Sequence, residues 1–531
     1  MDLEADYVIV GAGSAGCVLA NRLSAGGDDV VLVEAGPPDR HPMIHIPAGI
    51  MSLLHNPAVN WNYASEPEPS SGNRPIHWPR GRVLGGSSSI NGMLYVRGNA
   101  ADFDGWAQLG CRGWSWEDVL PLFMRSESYA NGEDDVRGRD GPLAVEDYRT
   151  ILPATHLFVK AAQEAGFDFN PDLNGKRQDG VGYSQMTRRG RWRGSTARTF
   201  LAEAKRRQNL RIETDAVCTG LVLDGKRCTG ATFRQRGRDV TVRARREVIV
   251  SGGAVNSPHI LHISGIGPAE HLKSIGIEPR HDLPGVGANL SDHYVVRVVH
   301  RVRGLVTLNQ LSRGVARARE VVRFFATGNG ALTFGVTTAQ VFCMSREGLA
   351  SPDLQLLFTP ASYEIGKVLT LETEPGVACA ICPVRPSSRG TIMATSADPL
   401  ARPAIRPNYL TDPDDLRVLR AGVEHARRIF AAPSFAEHDV RELAPGADVE
   451  DDQALADYAR DWGNTLYHPV GTCKMGTDPM AVVDPRLKVV GLEGLRVADA
   501  SVMPHLTTGN TNAPTIMIGE KAASMILEDA A

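Results

Sequence analysis

The sequence predicts an α/β fold of composite, α+β character: a Rossmann-type domain with a parallel sheet, joined to a second domain built on a mostly antiparallel sheet. Three features point there. An apolar run at Asp6–Val10 leads into Gly11-Ala12-Gly13-Ser14-Ala15-Gly16, a helical segment and a second apolar run ending at Glu34, so a strand–turn–helix–strand unit closes within about thirty residues. Later segments alternate apolar and polar residues over short runs broken by turn signals, the pattern of antiparallel strands. The 531 residues exceed what one core usually holds, and no linker-like tract divides them, so the two domains are expected to interleave.

Taken in order, "CVLANRLSAGG" sets Val18, Leu19 and Leu23 on one side of a helix that Gly26-Gly27 ends. "DVVLVEAG" is the second strand. From Pro37 to about Arg80, abundant Pro, Asn and Ser predict extended loops. Helical pieces such as "WSWEDVLPLFMR" follow between about 105 and 150, and "THLFVKAAQEAG" (155–166) is an amphipathic helix. Strands return from about 205 to 300, with Asp224-Gly225 as a hairpin turn. Ser257-Pro258 reads as the N-cap and first residue of a helix, "HILHIS", closed at Gly265 and Gly267. From about 300 to 460 strands ("DLQLLF", "GVACAICPV", "GTIMATS") mix with helices ("DDLRVLRAGVEHARRIFA", "DDQALADYARDW").

Composition narrows the function. A net charge of −4 gives no reason to expect nucleic acid or an anionic membrane as partner. No run of about 18 apolar residues occurs, so no membrane span is expected, and the N-terminal "MDLEADYVIV" lacks the marks of a signal peptide; the cytoplasm is the expected compartment. Eight scattered cysteines make no disulfide framework, and Cys379 and Cys382, alone in a strand-like run, suggest neither redox chemistry nor zinc. His41 and His45 lack a third ligand nearby, so no metal is expected. The segment 188–198 gathers five arginines around Trp192; it reads as a solvated loop that could attract an anionic substrate or acceptor, rather than a nucleic-acid surface.

Four stretches carry chemistry. In the glycine fingerprint, Gly11 permits the tight turn, Gly13 lets a pyrophosphate approach and Gly16 lets helix and strand pack closely. Glu34 is placed to accept from ribose hydroxyls and would repel a 2′-phosphate, which disfavours NADP; nicotinamide and flavin dinucleotides both remain open here. "GRVLGGSSSINGMLYVRG" (81–98) is a polar, glycine-rich loop between apolar flanks, either a surface turn or a half-buried loop that a ligand satisfies. "GGAVNSPHILHISGIGP" (252–268) is a strand-to-helix turn, structural for most of its residues, with Gly253 and Ala254 near a cofactor. "TLYHPVGTCKMG" (465–476) and the C-terminal "GNTNAPT" place His468 among turn residues and Asn510 at a helix start; alone, these would be a structural histidine and a cap.

Together these stretches resemble the glucose–methanol–choline (GMC) oxidoreductase family of FAD-dependent enzymes, over the whole chain from Tyr7 onward. Gly81–Asn91 matches the family's first signature, Gly253–Pro258 with Ser264–Gly267 its second, and "DLPGVGANLSDH" (282–293) and 468–476 are also typical. The resemblance implies FAD as cofactor and a small alcohol as substrate, a primary alcohol or polyol in the choline-dehydrogenase-like or sorbose-dehydrogenase-like branch. It makes His468 the base and Asn510 its partner, with hydride passing to flavin N5 and then to dioxygen, a quinone or a dye. It also places Gly11, Gly13, Ser14, Ala15, Gly16, Glu34, Ala35, Arg82, Gly85, Gly86, Ser87, Asn91, Gly92, Met93, Leu94, Val217, Ala254, Tyr467, Asp499, Ala500, Asn510 and Thr511 against the cofactor.

Where some relatives attach FAD through a histidine, this chain has Ile90, so noncovalent FAD is expected. The implied division gives 1–150, 205–300 and 463–531 to the FAD-binding domain, and 151–204 and 301–462 to a substrate-binding cap in which Phe334 and Gln340 are candidate substrate contacts. The alternatives are a lyase or fatty-acid decarboxylase on the same fold, a non-enzymatic flavin-binding protein, and a nicotinamide dehydrogenase.

Overall fold

The computed structural model describes residues 3–364 and 370–530. The strand Leu3–Val10 forms the middle of a seven-stranded sheet. It pairs in parallel with Val30–Val33, which pairs in parallel with Leu210–Glu213; on its other side it pairs in parallel with Arg238–Val250, which Leu495–Val497 joins in parallel at its end. Val30–Val33 is buried at every position, as expected of a strand covered on both faces. The 13-residue strand Arg238–Val250 joins the parallel and antiparallel parts of this one sheet. Val248–Val250 lie in the parallel core, while Arg238–Arg243 runs outward into an antiparallel meander with Arg227–Gln235 and Ala216–Asp224. The helices Ser14–Ala25 and Asn512–Ala530 bury Val18, Leu19, Ile516 and Ile518 in the same core as Val8, Ile9 and Leu32. All the parallel strands end on one edge, where Gly11, Glu34, Ser251 and Asp499 follow them, the edge at which ligands of such sheets bind.

A second sheet, antiparallel throughout, runs in the order Arg441–Ala444, Tyr294–Arg301, Gly376–Pro383, Leu354–Thr359, Ala339–Cys343, Gly180–Tyr183. Its period of two decides everything about its faces. Val296, Val298, Leu356, Phe358, Val377, Cys379 and Ile381 pack with Leu419, Val423, Ala426 and Ile429 of the helix Pro413–Phe430. Residues one step along, Arg297, Leu357, Ala378 and Ala380, face a large cavity. The same alternation puts Cys379 in the helix-side cluster and Cys382 with Leu94, Val295 and Leu357 on the other face. Both are free thiols.

Three local expectations change. The region 37–80 is not simply extended: it holds helical turns at Pro42–His45, Pro47–Gly49 and Ile50–Leu53, and Tyr63–Ala64 pairs with His77–Trp78. Prolines at helix starts and the His41 ring, which accepts from Met43 N–H at 3.3 Å, nucleate these turns. The segment 188–198 is not a solvated loop: Arg188–Arg189 and Trp192–Arg193 form a tight hairpin in which Arg188 and Arg193 are buried.

The helix near 257 begins earlier, at Gly253, and Ser257 is not its cap. Ser257 Oγ instead accepts from Gly252 N–H at 3.0 Å and donates to Asp499 at 2.6 Å. Pro258 therefore lies inside the helix and leaves the Ala254 carbonyl without its helical donor. Thr472 Oγ1 donates to that carbonyl at 2.7 Å. A local proline signal was thus overridden by a partner more than 200 residues away. Thr472→Val keeps the shape and orphans the buried carbonyl; it should destabilise the protein by about 1–3 kcal/mol, read as a lower Tm, and an unchanged Tm would refute this role.

Candidate active site

A cavity of about 640 Å³ lies between the C-terminal edge of the parallel sheet and the inner face of the antiparallel one. Of the catalytic and cofactor residues expected from sequence, all but Gly16 and Gly85 line it. Those two are behind the wall. A Cβ on Gly16 would sit 1.9 Å from the Gly11 carbonyl oxygen, and Gly85 N–H donates to Ala12 O at 2.8 Å, tying the second loop to the first. Gly11 has φ +107°, and a Cβ there would meet Ser251 O at 2.3 Å. Gly13 differs: a Cβ would touch only Ser251 O, at 4.0 Å, so protein packing leaves its face open to the cavity. As N-cap of the helix Ser14–Ala25, Gly13 offers no side chain, and the N–H groups of Ser14 and Ala15 have no protein acceptor among the described residues. This is the arrangement that receives a phosphate.

Glu34 follows the second strand, as the fingerprint requires. Its carboxylate accepts from Ala12 N–H and Gly36 N–H, each at 2.9 Å, which fixes its rotamer at the cavity wall. Burial pushes its pKa up to about 7 despite those two donors. Hydroxyl donors from a ligand would favour the ionised form. Asp499 is saturated by protein: Gly253 N–H and Ser257 Oγ reach one oxygen, and Ser501 N–H the other, at 2.8, 2.6 and 2.8 Å. It clamps the strand end to the helix start.

His468 stands in a relay of buried groups. His293 Nε2 lies 3.0 Å from Val384 O, His293 Nδ1 lies 2.9 Å from His468 Nδ1, and His468 Nε2 lies 3.0 Å from Asn510 Nδ2. Burial holds His293 down to about 4, and burial, His293 and Arg80 hold His468 well below the ordinary imidazole range, so both rings are neutral near pH 7. One assignment of protons then satisfies the chain. A carbonyl only accepts, so His293 carries its proton on Nε2 and presents a bare Nδ1. His468 must donate to it from Nδ1, which leaves the lone pair on Nε2, the nitrogen beside Asn510. Asn510 Nδ2 donates there, and Asn510 Oδ1 is buried with no partner among the described residues, an acceptor for a ligand to satisfy.

Asp292 holds this histidine's backbone. It accepts from His468 N–H at 2.7 Å, from Thr465 Oγ1 at 2.6 Å and from the Tyr409 hydroxyl. Arg80 donates to Tyr467 O at 2.6 Å. Tyr467 (φ +67°) and Met93 (φ +63°) both take left-handed backbone conformations at the cavity wall, costing of order 1–3 kcal/mol each, which surrounding contacts hold in place. On the Met93 side, Asn91 Oδ1 accepts from Met93 N–H at 3.0 Å and from Arg193 Nη1 at 2.8 Å, and Arg193 also donates to Asn91 O and Ile44 O. Asp292, His293, Arg80 and Arg193 had no role assigned from sequence. The first two close the "DLPGVGANLSDH" stretch, and an acid–histidine pair there was the available signal. Phe334 and Gln340 are not cavity residues: Phe334 packs on Tyr148, and Gln340 bonds to Ser184 and Gln355, while Val336 and Thr337 between them reach the wall.

The fold and cavity are those of an oxidoreductase working with a dinucleotide cofactor. The GMC oxidoreductase family model matches residues 5–295 and 386–519, and the chain belongs to that family. It is 42% identical over 530 residues to an oxygen-dependent choline dehydrogenase of Brucella ovis, covering 99% of this chain and 96% of the relative. It is also 42% identical over 530 residues to an alcohol dehydrogenase [acceptor] of Pseudomonas putida, covering 98% and 95%. Formate oxidase from Aspergillus oryzae, a structure concerned with FAD modification, superposes with TM-score 0.92 at 27% identity, covering 99% of both chains.

The relay predicts that ¹⁵N NMR of histidine-labelled protein at neutral pH finds His468 protonated at Nδ1 and bare at Nε2. Because its pKa is lowered, it should stay neutral as pH falls through 6.5; a titration at or above that value would overturn the assignment.

Proposed function

We propose that the chain binds FAD noncovalently in this cavity and oxidises an uncharged primary alcohol or polyol to the aldehyde or ketone. The carrying observation is the single proton arrangement that leaves His468 Nε2 bare beside Asn510 at the cavity wall. The residues fit the cofactor: the open face of Gly13 with the free N–H groups of Ser14 and Ala15 suits its pyrophosphate, Glu34 its adenosine ribose, and Asn91–Leu94 its ring system. Ile90, buried among Ile44, Leu53, Val59 and Val83, offers no nucleophile for a covalent link.

When bound, FAD supplies the two-electron acceptor for a hydride leaving the alcohol carbon. The protein does the rest. An alcohol hydroxyl placed between His468 and Asn510 donates its proton to Nε2 and accepts from Asn510 Nδ2, which replaces the bond these two make with each other. The proton leaves oxygen for His468 as the hydride leaves carbon, and the C–O bond gains its double-bond character. His468 Nδ1–H and Asp292 hold ring and backbone so that Nε2 stays on target. Dioxygen, a quinone or a dye would serve as the final electron acceptor.

In this reading 1–150, 205–300 and 463–531 carry the cofactor and 151–204 with 301–462 form the cap, to whose sheet the strand Tyr294–Arg301 belongs. Eight free, buried cysteines fit a reducing, cytoplasmic setting. Among the described residues no helix is long and apolar enough to cross a membrane.

The cap wall selects the substrate. It offers Val336, Leu357, Ala378 and Ala380 together with the guanidinium of Arg297, which lies over the Tyr363 ring at 6.0 Å. Among the described residues, the carboxylates lining the cavity are Glu34 and Asp499, both at the parallel sheet. A quaternary ammonium such as choline would therefore face a cation with no compensating anion.

His468→Ala should keep flavin absorbance and lose alcohol oxidation by about 10²–10⁴-fold; unchanged turnover, or loss of the yellow cofactor, sinks the role. In an anaerobic panel read by bleaching of flavin absorbance, neutral primary alcohols should act far better than choline. Arg297→Leu should narrow that gap, and efficient bleaching by choline in the unaltered protein would refute the selectivity.

A further inference from the structure

The helix Gly314–Thr327 is inside out. A surface helix ordinarily turns its apolar stripe to the core. Here the buried side chains are Glu320 and Phe324, while Val315, Val322 and Phe325 are 87%, 67% and 55% exposed. At about 3.6 residues per turn, Val315, Ala318, Val322 and Phe325 share one face, and all four are exposed. Four arginines accompany them: Arg313, Arg317, Arg319 and Arg323 are exposed on the same segment. The helix's one acid, Glu320, is buried, accepts from Ala331 N–H at 2.8 Å and lies 4.0 and 3.7 Å from Arg319 and Arg323, which leaves Arg313 and Arg317 without a carboxylate partner among the described residues.

The arginine–tryptophan hairpin, which the catalytic site leaves unused beyond Arg193, meets this helix. Arg191 Nη1 donates to the carbonyls of Phe324 and Phe325 at 3.2 and 2.6 Å, and the Trp192 ring packs edge-on to Phe324 with centroids 5.7 Å apart. Arg189 stands exposed beside it. Sequence-distant parts of the chain thus build one exposed patch that combines apolar side chains with arginines.

We propose that this patch lays the protein on an anionic lipid bilayer as a peripheral anchor. An amphipathic helix with Phe or Trp on its apolar side and arginines flanking it is the form that rests in a headgroup layer. Arginines near such a surface each add attraction to anionic lipid. At about 1.5 Å per residue the helix is roughly 21 Å long, suited to lying flat rather than spanning. A second copy is disfavoured as occupant, because a two-fold contact would set the arginines against their own copies. The chain's net charge of −4 averages this patch away, which is why bulk composition pointed elsewhere. From the helix the chain passes through the turn Ala331–Thr333 to Val336 and Thr337 in the cavity wall, so docking would hold the cap side of the cavity near the bilayer.

The test is co-sedimentation of the holoenzyme with vesicles of phosphatidylcholine alone and of phosphatidylcholine mixed with phosphatidylglycerol. Binding to the mixed vesicles at low salt, weakened by salt or by omitting phosphatidylglycerol, is expected. The double variants Val322→Glu/Phe325→Glu and Val322→Ser/Phe325→Ser should lower partitioning by roughly tenfold or more, with flavin absorbance and turnover to a water-soluble dye unchanged. No sedimentation with mixed vesicles, binding indifferent to both variants, equal binding to phosphatidylcholine alone, or a dimer in sedimentation velocity that Phe325→Ser abolishes would each overturn the anchor. Loss of the catalytic reading would leave the sedimentation outcomes untouched.

Discussion

Backbone pressed against backbone, with no room for side chains, is the constraint on which this protein rests. The turn after the first strand lies against the end of Arg238–Val250 so closely that a Cβ on Gly11 would fall 2.3 Å from Ser251 O. The helix start presses on the same turn through Gly16, and the second loop presses on it through Gly86, whose Cβ would meet Gly13 Cα at 2.7 Å. Three chain segments far apart in sequence are locked at one spot by missing atoms. The cavity floor is consequently made of peptide groups, whose N–H dipoles can face a phosphate without moving side chains into place. Rigidity comes from packing density here, and every distance further along the cavity is measured from this knot.

The chemistry is set by polar groups buried far from the knot. A single backbone carbonyl, that of Val384, orders a series of choices ending at His468 Nε2. Neutrality of both imidazoles is what makes the series determinate, because a charged ring would donate from both nitrogens and erase the distinction between them. Burial supplies that neutrality. The same burial would leave the groups costly if unpaired, and Asp292, Thr465 and Tyr409 pair the surrounding backbone and hydroxyls. Site order and site chemistry thus have one cause.

The antiparallel sheet divides its labour by period alone. One set of alternate residues makes the core beneath Pro413–Phe430, and the other set makes the cavity wall. Substrate preference can therefore change at Arg297, Leu357, Ala378 or Ala380 while the core on the opposite face keeps its packing. Arg297 accordingly belongs to the cavity-facing set, while its neighbours Val296 and Val298 belong to the core.

Sequence alone pointed to a dinucleotide fingerprint at the end of the first strand. The turn glycines and Glu34 were legible because local backbone geometry and short-range spacing demand those residue types, whereas the loop 81–94 and the pairing of His468 with Asn510 were readable only through the resemblance to the family. The parallel strands were legible because burial on both faces writes an unbroken apolar run. Tertiary structure decided the rest. Ser257-Pro258 looked like a helix start, yet Thr472 satisfied the carbonyl that proline freed, so the helix extends back to Gly253. Arg193 looked solvated until the cavity loop supplied carbonyls for it. Phe334 and Gln340 lay in the right segment but were taken up by other partners, Phe334 by Tyr148 and Gln340 by Ser184 and Gln355. His293 acts through a ring 175 residues away. No local signal encodes such partners: hydrogen bonding and close packing depend on which distant segments arrive, and only the folded chain brings them together.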